Sequence, residues 1–150
     1  MRQQTIVHCD AWKTRLMKHA FTHYVTLTTN RVDLSVAYVR RRLREWDARI
    51  NREFVGPRWK QRSDERMLWF AFLEEAEVNP HWHLLIEVDP ENADRWSGLD
   101  VHARRIWEEL VPSGTVDVQP YRDAGVIDYV LKNLDETKPD HQVIYREFHG

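Results

Sequence analysis

The chain is poor in the residues that staple or punctuate a fold: one cysteine, five glycines and six prolines in 150 residues. A lone Cys9 excludes an internal disulfide framework and a four-cysteine zinc module. The few glycines and prolines are scattered, and no repeat, low-complexity tract or linker interrupts them, so one domain spanning 1–150 is expected. The longest unbroken apolar segment, around Leu68 to Leu73, is far shorter than the roughly 20 residues that span a bilayer. The opening MRQQTIVHCD lacks the apolar stretch of a signal peptide, so a reducing, cytoplasmic setting without a membrane partner is expected. A glycine-rich P-loop is missing too, so no helicase domain is expected.

Present instead are 42% hydrophobic and 31% charged residues, the mixture of a folded domain rather than a disordered chain. The net charge of −2 hides an asymmetry. Residues 1–62 hold 14 of the 22 Lys+Arg and only 5 of the 24 Asp+Glu, and the remainder of the chain holds the other 8 and 19. A basic first half suggests a polyanionic partner.

Periodicity supplies the elements. Residues 21–29 (FTHYVTLTT), 67–74 (MLWFAFLE), 81–88 (HWHLLIEV) and 115–119 (TVDVQ) read as strands, the second apolar on both faces and hence central. Residues 34–52 read as a helix, since Val39, Leu43, Trp46 and Ile50 recur at helical spacing, with turn and cap chemistry from Asn30 to Asp33 before it. A second helix carries Trp96, Leu99, Ala103, Ile106 and Leu110; Gly98 is expected to break its first turn, and Pro112 and Gly114 to end it. Asp123 is placed to cap a last helix at 124–134, and 142–148 is a weaker strand. Residues 1–18 show no clear period. The order β-α-β-β-α-β-α predicts an α+β fold of ferredoxin-like or RRM-like type, an antiparallel sheet with flanking helices.

Two pairs of residues carry chemistry. His81 and His83 flank Trp82 on a strand, so alternation turns both imidazoles to one face. Neutral imidazole suits Mn, Fe, Ni, Cu or Zn, and two side by side make half of a metal site. The preceding strand ends at Glu74-Glu75, one short turn away, and antiparallel pairing brings a carboxylate beside the histidines. Glu74 shares a face with Phe70 and Phe72 and is preferred as third ligand, with Glu75 and Glu77 as competitors. On the last helix Ile127, Val130, Leu131 and Leu134 cluster, whereas Tyr129 and Lys132 lie about 60° apart on the opposite side. A neighbouring ammonium favours the phenolate, or balances charge on a phosphate under attack, so the pair is a candidate nucleophile; the alternative is a surface tyrosine covering its helix. The charges of Arg40, Arg41, Arg42 and Arg44 fall off the Val39–Ile50 stripe, where they can meet phosphates.

Three segments occur in order: Val25-Thr26-Leu27-Thr28-Thr29-Asn30 on the first strand, His81-Trp82-His83 on the third and Tyr129-Val130-Leu131-Lys132 on the last helix. In this the chain resembles the HUH endonuclease superfamily, most of all its single-tyrosine rolling-circle replication initiators (Rep proteins). The resemblance spans residues 21–134. It implies a metal-dependent, sequence-specific endonuclease and strand transferase acting on single-stranded DNA at an origin or hairpin; without a P-loop, strand opening would need a host helicase, supercoiling or a substrate already single-stranded. It implies that His81, His83 and Glu74 bind one divalent metal ion, manganese or magnesium first. It also implies that Tyr129 attacks the phosphodiester to leave a 5′-phosphotyrosyl link and a free 3′-OH, and that Lys132 assists. DNA contacts are expected from Thr26, Thr28, Asn30 and Arg31 and from Arg40, Arg41 and Arg44. The alternatives are a single-strand transposase of the same superfamily, a non-catalytic RRM-like nucleic-acid binder and a mononuclear zinc hydrolase.

Overall fold

A computed structural model describes the backbone of residues 2–132 and 134–149 and the side chains of residues 8–132 and 134–149. In chain order the elements are α1 (Arg2–Leu16), β1 (His23–Thr28), α2 (Val36–Phe54), β2 (Leu68–Glu74), β3 (His81–Glu87), α3 (Leu99–Leu110), β4 (Val116–Pro120), α4 (Gly125–Leu131), β5 (Gln142–Ile144) and α5 (Arg146–His149), with short 3-10 turns between some of them. Among the described residues the strands form one antiparallel sheet in the order β4-β1-β3-β2-β5. The fold is therefore α+β, as the sequence pattern predicts. No helix among these residues is long and apolar enough to cross a membrane.

Strand alternation divides the apolar residues between two cores. On one face Val25, Leu27, Trp69, Ala71, Trp82, Leu84 and Ile86 pack under α2 and α3, which contribute Val39, Leu43, Trp46, Ile50, Ala103, Ile106 and Trp107. Buried indoles there keep their N–H groups paired: Trp46 Nε1 donates to the Ala103 carbonyl at 3.1 Å and Trp82 Nε1 to that of Val39 at 3.0 Å. On the other face Phe70, Phe72 and Leu85 pack under Leu16 of α1 and under Ile127, Val130, Leu131 and Leu134 in and after α4. On that second face Thr26, Glu74, His81 and His83 lie toward the Thr28 end of β1, and Tyr24, opposite Leu85, borders the apolar patch.

Several boundaries differ from the sequence reading, each for a local reason. α1 shows no clear apolar period; among its described side chains Cys9, Trp12 and Leu16 stand at helical spacing and meet the sheet. Ser35, not the Asn30–Asp33 turn, caps α2, its hydroxyl accepting from the Tyr38 amide at 3.1 Å. Asn30 instead takes a left-handed conformation (φ 54°). Gly98 is the N-cap of α3, and Trp96 sits in the turn before it. Asp123 accepts from the Gly125 amide at 2.8 Å just ahead of α4, and Asn133 at its far end lies outside the described residues. The tail splits into β5 and a single turn of helix, α5. Gly114 does more than end α3. A Cβ there would stand 2.5 Å from the Thr28 carbonyl oxygen and 2.6 Å from Trp107 Nε1, the two atoms that hydrogen-bond each other at 2.7 Å.

The tail is held by a buried polar network. Asp47 is fully buried on α2, and its carboxylate accepts from Trp69 Nε1 at 2.7 Å, from Asn51 Nδ2 at 2.9 Å and from His149 Nε2 at 2.7 Å. Removing one member of such a buried pair strands the other, at a cost of about 3–5 kcal/mol. Asp47→Ala is therefore expected to shift the urea unfolding midpoint markedly downward, and a midpoint equal to that of the wild type would show the network to be dispensable.

Candidate functional site

The β2–β3 hairpin builds the centre of the site. Its register sets Glu74 opposite His81 and Phe72 opposite His83, so Glu74, His81 and His83 share one face. The chain turns immediately after Glu74, with Glu75 in a left-handed conformation (φ 50°). One oxygen of Glu74 is hydrogen-bonded to Nε2 of His83 and lies 3.3 Å from Nε2 of His81. One ligand atom from each of the three residues lies within 4.8 Å of the others. The Glu75 carboxylate is 4.0 Å from His81 Nδ1, the nitrogen turned away from this centre, and Glu77 is exposed outside it.

The remote imidazole nitrogens are also engaged. His81 Nδ1–H donates to the Asn79 carbonyl at 2.8 Å. His83 Nδ1 lies 2.8 Å from the Tyr24 hydroxyl and 3.2 Å from that of Thr26. Partners at Nδ1 hold each ring with Nε2 toward Glu74, as outer partners do for metal-ligating histidines. Two imidazoles and a carboxylate on a rigid hairpin fit a divalent metal ion and leave positions open for substrate oxygens.

Tyr129 and Lys132 stand over the same centre. α4 is seated by Ile127, Val130 and Leu131, which leaves Tyr129 46% exposed on its outer side. The Tyr129 ring meets His83 edge-on at 5.6 Å between centroids. Lys132 Nζ lies 3.7 Å from the centre of the Tyr129 ring and 3.2 Å from the second oxygen of Glu74. From the other side α1 steadies α4 through Lys13 Nζ, 2.8 Å from Asp128, and through Cys9 Sγ, which donates to the Leu131 carbonyl at 3.7 Å. Glu74, His83, Tyr129 and Lys132 line one shallow pocket with His141 and Gln142.

Electrostatics keep the carboxylate charged and the buried imidazole neutral. Burial opposes charge on Glu74, but hydrogen bonds from His83 and Lys132 outweigh it and hold the carboxyl below its usual range. Burial pushes His83 down, and it prevails over the opposing pull of Glu74. Hydrogen bonding to Tyr129, and then to Glu74, holds the Lys132 ammonium above its usual range against the opposing effect of desolvation. Burial pushes the Tyr24 phenol up to about 12, so it stays protonated at neutral pH. His23 and His141 are likewise pushed down, chiefly by burial. Between their lowered values and the ordinary histidine value of about 6.5, the unfolded chain binds more protons than the native one. Stability of the metal-free protein is therefore expected to be full above that value and to fall as pH drops below it. Thermal melts from about pH 7.5 down to about pH 5 check this, and a flat melting temperature across that window would contradict it.

The other candidate residues fall in two places. Thr26 sits beside His83. Thr28 bonds the Thr115 hydroxyl at 2.5 Å, and Asn30 ties three connections together: its amide donates to Asn79 Oδ1 at 2.8 Å and its Nδ2 to the Ser113 carbonyl at 2.9 Å. Arg31 pairs with Asp33 at 2.6 Å. Arg40, Arg41 and Arg44 lie on α2, across the sheet from Glu74 and the histidines. There Arg40 pairs with Glu147 at 2.9 Å and donates to the Asp140 carbonyl, and Arg44 lies over the Phe148 ring. Sequence reasoning missed Tyr24 as a partner of His83, and the carbonyl of Asn79 as a partner of His81. Tyr24 was within reach, because it precedes Thr26 by two residues and so shares its face of β1.

No family model, no curated protein and no solved structure matches the chain, and the chemistry of the site rests on its own geometry.

Proposed function

We propose that the protein is an HUH-type endonuclease that nicks and rejoins single-stranded DNA, with Tyr129 as nucleophile and one divalent metal ion at Glu74, His81 and His83, and that it initiates rolling-circle replication. The observation that carries this reading is the meeting of that triad with the Tyr129–Lys132 pair: Glu74 and His83, which with His81 form the triad, share one pocket with Tyr129 and Lys132. The strand order supports it: β3 lies between β1 and β2, and β1 between β3 and β4, the split arrangement of a ferredoxin-like sheet.

A metal ion held there supplies Lewis-acid polarisation of the scissile phosphate. Manganese suits the mixed nitrogen and oxygen donors better than magnesium, which prefers oxygen alone. Tyr129 Oη attacks phosphorus in line with the bond to O3′. That bond breaks, the 5′-phosphate stays on the tyrosine, and O3′ leaves as a hydroxyl. The exposed phenol gives its proton to water, which returns one to O3′. The Lys132 ammonium, over the ring and beside Glu74, balances the negative charge that grows on the phosphoryl oxygens. Because the link conserves the energy of the broken bond, a free 3′-OH can reverse it.

The test is incubation with a randomised pool of single-stranded oligonucleotides and Mn²⁺, followed by a denaturing gel. A protein–DNA adduct that EDTA abolishes is expected. Cleavage with no adduct would overturn the reading in favour of a metal hydrolase.

A further inference from the structure

The two histidines of the centre are backed by different chemistry. His81 Nδ1 faces a backbone carbonyl, which can only accept, so in the neutral ring the proton sits on Nδ1 and the Nε2 lone pair is turned toward Glu74. His83 Nδ1 faces two hydroxyls, those of Tyr24 at 2.8 Å and Thr26 at 3.2 Å, and a hydroxyl can donate or accept. The Tyr24 ring also stacks on that of His83, with centroids 5.7 Å apart and planes 25° apart, while Tyr129 meets the same imidazole edge-on.

We propose that Tyr24 is a positioning residue, which with Thr26 lets His83 move its proton between ring nitrogens so that Nε2 can pass from a Glu74 hydrogen bond to a metal ligand. The inference rests on the metal centre proposed above. Without metal, Nε2–H donates to the Glu74 carboxylate and the Tyr24 hydroxyl donates to Nδ1. With metal, one proton leaves Nε2 and one arrives at Nδ1 through water. Nδ1–H then donates to the Tyr24 or Thr26 oxygen, and the Nε2 lone pair faces the ion. The net charge of the imidazole is the same in both arrangements, and neither strands a buried donor or acceptor at His83. A carbonyl in place of the hydroxyls would forbid the first arrangement, and an apolar side chain would leave Nδ1 unpaired in the second.

The test uses the full chain stripped of metal, with Mn²⁺ alone as probe, titrated calorimetrically without DNA. Tyr24→Phe keeps the stacked ring and removes the hydroxyl, Thr26→Val removes the other, and Thr26→Ser restores it. The double variant Tyr24→Phe/Thr26→Val is expected to bind Mn²⁺ about 10- to 100-fold more weakly than the wild type, the loss typical of removing an outer partner of a metal ligand. Thr26→Ser, alone or beside Tyr24→Phe, is expected to bind more tightly than the matching Thr26→Val variant, a rescue that a purely space-filling role would not produce. Melting of the metal-free variants checks that the fold is kept, and if the double variant does not fold, the single variants Tyr24→Phe and Thr26→Val, each against the wild type, decide. Wild-type affinity in the hydroxyl-free variants would overturn the inference and leave the metal centre standing. A wild-type protein that binds no Mn²⁺ would overturn both.

Discussion

Tyr129→Phe protein is expected to bind single-stranded DNA as tightly as the wild type and to form no covalent adduct. The substitution removes one oxygen from a side chain that is 46% exposed, and the phenyl ring keeps its edge contact with His83 and its place beneath the Lys132 ammonium. Fold and affinity survive because neither depends on the hydroxyl; the adduct vanishes because that oxygen is the attacking atom. Lys132→Ala is expected to slow adduct formation by about 10²–10³-fold without ending it, the usual cost of losing one positioned charge partner. Tyr24 is the rival, since its hydroxyl also touches His83. It is poorly suited, being half-buried, engaged at Nδ1 and pushed up to about 12 by that burial. Peptide mapping of the trapped adduct separates them: a nucleotide on Tyr24, or adduct at the wild-type rate from Tyr129→Phe, would refute the assignment.

Removing a ligand should be nearly as severe. His81→Ala leaves Glu74 and His83 to hold a divalent ion by two groups, and adduct formation in Mn²⁺ is expected to drop to the level seen with EDTA. The loss is also visible without DNA. A metal ion that binds only the folded state at a hundred times its Kd adds about 2.7 kcal/mol of stability, so Mn²⁺ should raise the melting temperature of the wild type and leave that of His81→Ala unmoved. Glu74→Ala should behave like His81→Ala, whereas Glu75→Ala should be mild, because the Glu75 carboxylate lies 4.0 Å from the nitrogen His81 has already committed to Asn79. A severe Glu75→Ala beside a mild Glu74→Ala would mean that the ligand oxygen comes from the turn instead of the strand.

Much of this geometry was legible in the sequence because strand alternation and helical periodicity are local rules. Two histidines two residues apart on an apolar strand must share a face, and a hairpin with a short turn must bring the preceding carboxylates near them. The same logic put Tyr129 and Lys132 opposite the aliphatic stripe of α4. What stayed hidden depends on contacts between distant segments. α1 has too little periodicity to announce itself, yet Trp12 packs edge-on to Phe72 at 5.3 Å and helps to seat the helix that carries Tyr129. Thr28 and Asn30 look like surface residues of a strand end, but they brace the Asn79 and Ser113 connections. The position of the α2 arginines relative to the pocket was equally out of reach, since periodicity tells which way a side chain leaves its helix but not which face of the sheet the helix covers.

The hairpin described above has a further consequence for how the site comes together. Glu74, His81 and His83 all belong to two adjoining strands joined by a short connection, so closing the ion-binding half of the site costs little chain entropy. The attacking half arrives from far along the chain, on a seven-residue helix that is wedged in place by α1 from the opposite end of the sequence. The two halves are thus separately breakable. Damage that loosens α1 or α4 would spare the cation site and disable only cutting, whereas damage to the turn after Glu74 would remove both.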